Sequence, residues 1–168
     1  LNFDLIISYG GGTVIDVSKI LSVSNNFHSL NDVFDVDKIK NSIYHLCIPT
    51  TFGSGSESTC FAVLYKNRLK YSIQSSFIAP DEIVLNYRYT LSLNGKHAYC
   101  SILDSFCQSI ESLWSLNNTF ESSKYALEAI KLISPVFKKI KNLSGTDRKN
   151  LLIASNLSGK AINITKTT

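Results

Sequence analysis

Asp4-Leu-Ile-Ile-Ser-Tyr-Gly-Gly-Gly-Thr-Val-Ile-Asp-Val-Ser-Lys-Ile-Leu21 decides the fold. Asp4 to Ser8 form a short apolar, β-branched run. Gly10, Gly11 and Gly12 interrupt it, and Val14, Ile15, Val17, Ile20 and Leu21 then recur at helical spacing, so the stretch reads strand, glycine turn, helix. Three glycines let a backbone approach a ligand closely, and the helix beyond Thr13 offers N–H groups and the positive end of its dipole to a phosphate. The pattern is neither G-x-G-x-x-G nor a Walker loop, so the same residues also fit a plain strand-to-helix turn. Asp16 and Lys19, on the first turns of the helix, read as surface residues.

Tyr44-His-Leu-Cys-Ile48 is a second strand of buried type, and it runs into Pro49-Thr-Thr-Phe-Gly-Ser-Gly-Ser-Glu57. Hydroxyls and glycines this dense at a strand end suit a second nucleotide-contacting loop; a Ser/Gly linker is the alternative. Between the two strands, residues 25–41 read as a loop with a short helix, and His28 as a surface residue rather than a ligand. Phe61–Tyr65 and Leu69–Ile73 alternate about Lys66-Asn-Arg68, which predicts a β-hairpin. Pro80–Leu85 reads as a further strand with its proline at the start.

From about Thr90 the period changes. Residues 97–114, 121–140 and 147–162 read as helices, with a kink or break at Ser134-Pro135 and Thr119 as a cap. On the first of these helices Asp104, Gln108 and Glu111 stand at i, i+4 and i+7, which puts all three on one face. A carboxylate and an amide oxygen one turn apart can reach a single cation; a solvated polar face is the alternative.

The chain has 168 residues, 44% of them hydrophobic, enough for one globular domain or two incomplete ones. Its net charge of +4 is scattered. The one dense basic group, Lys138, Lys139, Lys141, Arg148 and Lys149, reads as solvated surface, and no nucleic-acid site is expected. The four cysteines, Cys47, Cys60, Cys100 and Cys107, contain no C-x-x-C pair, so reduced thiols are expected rather than a disulfide framework or a thiolate zinc site. No run has the length of a membrane span and no signal-peptide pattern opens the chain. The expectation is a soluble, cytoplasmic protein without a membrane partner. The chain contains no methionine, opens mid-strand and stops without a terminating signal, which suggests a piece of a longer protein.

Four segments, in their order and spacing, resemble the iron-containing (group III) alcohol dehydrogenases, relatives of glycerol dehydrogenase and dehydroquinate synthase. They are Gly10-Gly-Gly-Thr-Val-Ile-Asp16-Val-Ser-Lys19, Pro49–Glu57, Lys70-Tyr-Ser-Ile with Ala79-Pro80, and Asp104-x3-Gln108-x2-Glu111. The resemblance implies a dehydroquinate synthase-like α/β fold: part of a nucleotide-binding α/β domain at residues 1–90, then part of a helical, metal-binding domain at 91–168. It implies NAD or NADP and a divalent metal, iron or zinc, in the cleft between them, and homodimers or larger assemblies. By position, Gly10, Gly11, Gly12 and Thr13, with Asp16, fall in the pyrophosphate-binding segment, Thr50, Thr51 and Ser54 contact the nucleotide, Lys70 lines the site near the nicotinamide, and Asp104 is the first metal ligand.

Two residues depart from the family pattern. Gln108 stands where most members have histidine, a better ligand for iron or zinc than an amide oxygen, and Asn86 stands where an aspartate is usual. Glutamine at 108, with Glu111–Ser115, Thr119–Ala126 and Gly159–Thr168, resembles the phosphonoacetaldehyde reductase branch. The implied reaction is hydride transfer from NAD(P)H to an aldehyde, phosphonoacetaldehyde foremost, with the metal polarising the carbonyl. On this reading Asp104 would anchor the metal, Gln108 would coordinate weakly or orient the substrate, and Lys70 would help hold an anionic head group. The rival expectations are a non-catalytic fragment that at most binds nucleotide, an alcohol dehydrogenase of other substrate, and a lyase of the dehydroquinate synthase type.

Overall fold

The computed structural model describes residues 3–27, 29 and 32–167. Strand β1 (Leu5–Gly10) feeds helix α1 (Gly12–Ser22), as the glycine turn predicts. Strand β2 (Tyr44–Pro49) returns parallel to β1 in full register, Leu5 opposite Tyr44 and Gly10 opposite Pro49. Parallel pairing brings the C-terminal ends of both strands to one edge, where open α/β sheets hold ligands. The Thr50 N–H donates to the Gly10 carbonyl at 2.9 Å, so the two following loops lie side by side.

The Phe61 hairpin forms as β3 (Phe61–Lys66) and β4 (Leu69–Gln74), antiparallel, with its turn at Asn67 and Arg68. Both turn residues have positive φ, 51° and 65°, the conformation that two-residue hairpin turns require. The strand expected at Pro80–Leu85 is shorter, β5 at Glu82–Ile83, although Asp81 and Val84 also donate backbone N–H groups to β2. Among the described residues, the segment expected as a loop with a short helix shows single 3-10 turns at Ser24–Asn26, Asp32–Phe34 and Val36–Lys38. His28 lies outside the described residues.

Helices α2 (Gly95–Trp114), α3 (Phe120–Ile133) and α4 (Gly145–Thr165) pack mutually. Thr119 caps α3 through a reciprocal bond with Ser122, and Ser144 caps α4 the same way with Asp147. The second helix stops at Ile133 and continues as a 3-10 turn over Ser134–Lys139, because Pro135 has no N–H to carry the α ladder on. The expected solvated basic group is corrected at Arg148: it is buried, and its guanidinium donates to the Thr90 and Leu93 carbonyls. Among the described residues no helix is long and apolar enough to cross a membrane.

One apolar cluster, Val23, Val33, Ile39, Ala62, Ile73 and Ile78, lies beneath α1 and the hairpin; the other fills the helical part. Phe52, from the loop after β2, is fully buried in that second cluster, against residues such as Ile102 and Leu151. Burying a phenylalanine contributes roughly 2–3 kcal/mol, so this loop is anchored in the helices rather than loose like a linker. Gly55 and Gly159 complete the attachment: a Cβ on Gly159 would meet the Gly55 carbonyl oxygen at 2.3 Å.

Candidate active site

The glycines of the first loop serve close approach. None of Gly10, Gly11 and Gly12 has positive φ. A Cβ on Gly10 would overlap Val14, one on Gly11 would stand 3.0 Å from Thr51, and one on Gly12 would stand 2.7 Å from Ser54 Oγ. Helix α1 starts at Gly12 with no side-chain cap on its N–H groups. The uncapped N-terminus opens on a cavity of about 360 Å³ whose lining includes Gly12, Thr13, Asp16, Thr51, Ser54 and Asp104.

A second cavity, of about 350 Å³, has Lys70, Asp104, Cys107, Gln108 and Glu111 in its wall, together with Asp16, Ser54 and Val63. Asp16, Ser54, Val63 and Asp104 line both cavities. They are therefore two ends of one cleft between the glycine loops and α2. Of the residues expected at a site, Gly12, Thr13, Asp16, Thr51, Ser54, Lys70, Asp104 and Gln108 line the cleft. Gly10, Gly11 and Thr50 are not among the lining residues; the Thr50 N–H bond to the Gly10 carbonyl and the closeness of Gly11 to Thr51 hold the two loops together.

Asp16 and Lys19 are not the surface residues they resemble in the sequence. Lys19 is fully buried, and its ammonium donates to Ser56 Oγ at 3.0 Å, Thr59 Oγ1 at 2.9 Å and the Phe61 carbonyl at 2.7 Å. Burial lowers its pKa to about 8, against the opposing pull of Asp16 3.9 Å away. One Asp16 oxygen accepts from Ser56 Oγ and the other from the Val63 N–H at 2.9 Å. With both oxygens engaged by the protein, Asp16 fixes the loop and the hairpin against α1. The apolar pattern gave no signal for this: Ile15, Ser18, Lys19 and Ser22 share the buried face of α1, while the more apolar Val14, Val17 and Leu21 remain exposed.

Behind the loop, Glu57 is buried and receives Asn156 Nδ2, with its carboxyl shifted upward by loss of solvent. His45 is also buried. It shares a 2.8 Å hydrogen bond with Ser8, and burial pushes its pKa down to about 4.

At the other end of the cleft, Gln108 Nε2 donates to Asp104 Oδ1 at 3.2 Å, while Gln108 Oε1 accepts from Ser158 Oγ at 3.0 Å. The Asp104 carboxyl is shifted upward, chiefly by partial loss of solvent, though the residue as a whole is exposed; the Gln108 bond opposes this and Glu111 adds to it. A Cβ on Gly53 would stand 3.2 Å from Asp104 Oδ2, so that glycine leaves room beside the carboxylate. A carboxylate with room on one side and an amide one turn away fits one edge of a divalent-cation site. Among the described residues no three His, Cys, Asp or Glu side chains converge to hold a metal. All four cysteines are free, with Cys107 exposed in the cleft wall.

Residues 1–87 match the family model described as iron-containing alcohol dehydrogenase. The phosphonoacetaldehyde reductase of Streptomyces viridochromogenes is 26% identical, over 98% of this chain and 45% of its own length. The crystal structure of an iron-containing alcohol dehydrogenase from Thermotoga maritima superposes with a TM-score of 0.92 at 30% identity, covering 100% of this chain and 47% of that one. A sulfoacetaldehyde reductase from Bifidobacterium kashiwanohense, solved in complex with NAD+, superposes with a TM-score of 0.86 at 27% identity, covering 98% and 46%. The chain spans less than half the length of each of these relatives.

Proposed function

The chain belongs to the iron-containing alcohol dehydrogenase family, and from that premise we propose that its protein transfers a hydride between NAD(P)H and a short anionic aldehyde, phosphonoacetaldehyde foremost. The observation that carries this reading is the single cleft with a glycine-loop, helix-N-terminus end and a carboxylate end, joined at Asp16, Ser54, Val63 and Asp104. At the first end the N–H groups of Gly12 and Thr13 and the hydroxyls of Thr51 and Ser54 take the dinucleotide phosphates. Gly10, Gly11 and Thr50 hold the loops close enough to do so. Asp16 keeps Ser56 and the hairpin in register and so positions Ser54.

At the other end Asp104 anchors the cation edge and Gln108 lies beside it. Lys70 projects from β4 into the same cavity and pairs with the phosphonate or sulfonate head group. When bound, NAD(P)H would supply the hydride, and iron or zinc held at Asp104 would supply Lewis-acid polarisation of a carbonyl. The protein's part is placement: the nucleotide at one end, the head group on Lys70, and the carbonyl between them near Asp104. In this reading residues 1–90 supply the nucleotide end and 91–168 the carboxylate end.

The test is NAD(P)H oxidation by the protein expressed from its complete reading frame. Phosphonoacetaldehyde, sulfoacetaldehyde and butanal are compared, with the metal removed and restored. The expected result is a preference for the two anionic aldehydes and activity that vanishes on chelation. Equal kcat/KM for all three would refute the anionic substrate, and turnover indifferent to chelation would refute the cation.

A further inference from the structure

The Ser158 hydroxyl stands between two acceptors and can serve either. Ser158 is buried on α4, and its hydroxyl has a single proton but two acceptors at 3.0 Å, Gln108 Oε1 and the Ser105 carbonyl. The Ser105 carbonyl also accepts from Ser109 Oγ at 2.8 Å, so it is served without Ser158. If the proton points to Gln108, the amide oxygen is satisfied by Ser158, and the amide nitrogen is left to donate to Asp104. If it points to Ser105, the Ser158 oxygen becomes an acceptor, and the Gln108 amide satisfies it by turning its nitrogen round. That rotation brings the amide oxygen to the Asp104 side. Two unprotonated acceptors facing each other repel, so a cation between them favours the second arrangement.

Resting on the proposed role of Asp104, we propose that Ser158 is a positioning residue whose reversible hydroxyl lets the Gln108 amide rotate, so that its oxygen joins Asp104 on a divalent cation. Without the cation, Gln108 covers the Asp104 charge with its amide nitrogen. With the cation, Gln108 presents its oxygen, its nitrogen donates to Ser158, and Ser158 donates to Ser105. The Gln108 carbonyl oxygen and one of its two amide protons have a partner in both arrangements, so a glutamine can occupy a ligand position without leaving its oxygen stranded in either.

The test uses the protein expressed from its complete reading frame, with zinc as probe. In the wild-type protein, labelled with 15N, the Gln108 side-chain amide is identified by its absence in Gln108→Ala. Its protons should show nuclear Overhauser contacts to Asp104 Hβ without zinc and to Ser158 Hβ with zinc. An amide that keeps its Asp104 contact with zinc bound overturns the proposal, and this readout requires no change at Ser158. Ser158→Ala should weaken zinc binding about tenfold, as loss of a ligand's supporting partner typically does; wild-type affinity in that variant also overturns it. If Asp104→Ala binds zinc as tightly as wild type, the cation site itself fails. If Asp104→Ala loses zinc while Ser158→Ala keeps it, only the amide rotation fails.

Discussion

Two polar groups flank the loop after β2, and they are built in opposite ways. On one side Lys19, Asp16, Ser56 and Thr59 form a closed knot: the ammonium makes three hydrogen bonds and both carboxylate oxygens accept. On the other side Lys70, Asp104, Gln108 and Glu111 line a cavity, with one bond joining Asp104 to Gln108. The same residue types give a fastener in one place and an open site in the other. The difference lies in whether neighbouring backbone fills the space between the charges. In the knot the Phe61 carbonyl and the Val63 N–H do so. In the cleft the space is left open, and Gly53 is part of the reason.

The comparison breaks most severely at Gly55, on which both groups depend. Its φ is +58°, and a Cβ there would meet the Ser155 carbonyl oxygen at 2.4 Å and Gly159 Cα at 2.7 Å. Gly55→Ala should therefore cost about 4 kcal/mol, from overpacking and a left-handed backbone together. Urea unfolding would measure it, and cleft binding of NADH should fall along with stability.

Lys19→Met attacks the knot alone. It leaves Asp16, Ser56 and Thr59 short of a donor and should cost about 3 kcal/mol, the usual penalty for removing one partner of a buried ionic network. Lys70→Ala attacks the open group alone. Unfolding should be unchanged, while kcat/KM for phosphonoacetaldehyde falls by about thirtyfold, in keeping with one lost charge-assisted hydrogen bond. Its kcat/KM for butanal should stay near wild type.

The smallest effect sharpens the contrast through pH. In the unfolded chain Lys19 keeps its proton to about 10.5, the ordinary lysine value, but in the knot only to about 8. Between those values the unfolded chain binds more protons, so stability due to this group rises with pH. From pH 7.5 to 9.5 the stability of the wild-type protein relative to Lys19→Met should increase by about 2 kcal/mol. A decrease over that range would show that the buried ammonium is not destabilised by its surroundings.

How far the sequence could be read follows the same division between local and distant partners. The β1–turn–α1 unit, the Phe61 hairpin, the Thr119 cap and the shared face of Asp104 and Gln108 are set by spacing and turn chemistry within a few residues, and they were legible. Lys19, Phe52 and Arg148 were misread or passed over, because their partners are far along the chain. Lys19 meets residues some 40 positions away, Phe52 enters a core formed by the helices, and Arg148 caps carbonyls of Thr90 and Leu93. Asp104 was legible as a candidate, but its pairing with Ser158 through Gln108 depends on α4 and emerges only from the packing.

The central claim is that one cleft holds a nucleotide at its glycine-loop end and a cation at Asp104. Calorimetric titration of wild-type and Asp104→Ala protein with zinc and, separately, with NADH tests it most directly. The account predicts that zinc affinity falls by about a hundredfold or more in the variant, while the Kd for NADH stays within about twofold of wild type. Zinc binding of wild-type strength in Asp104→Ala would contradict it.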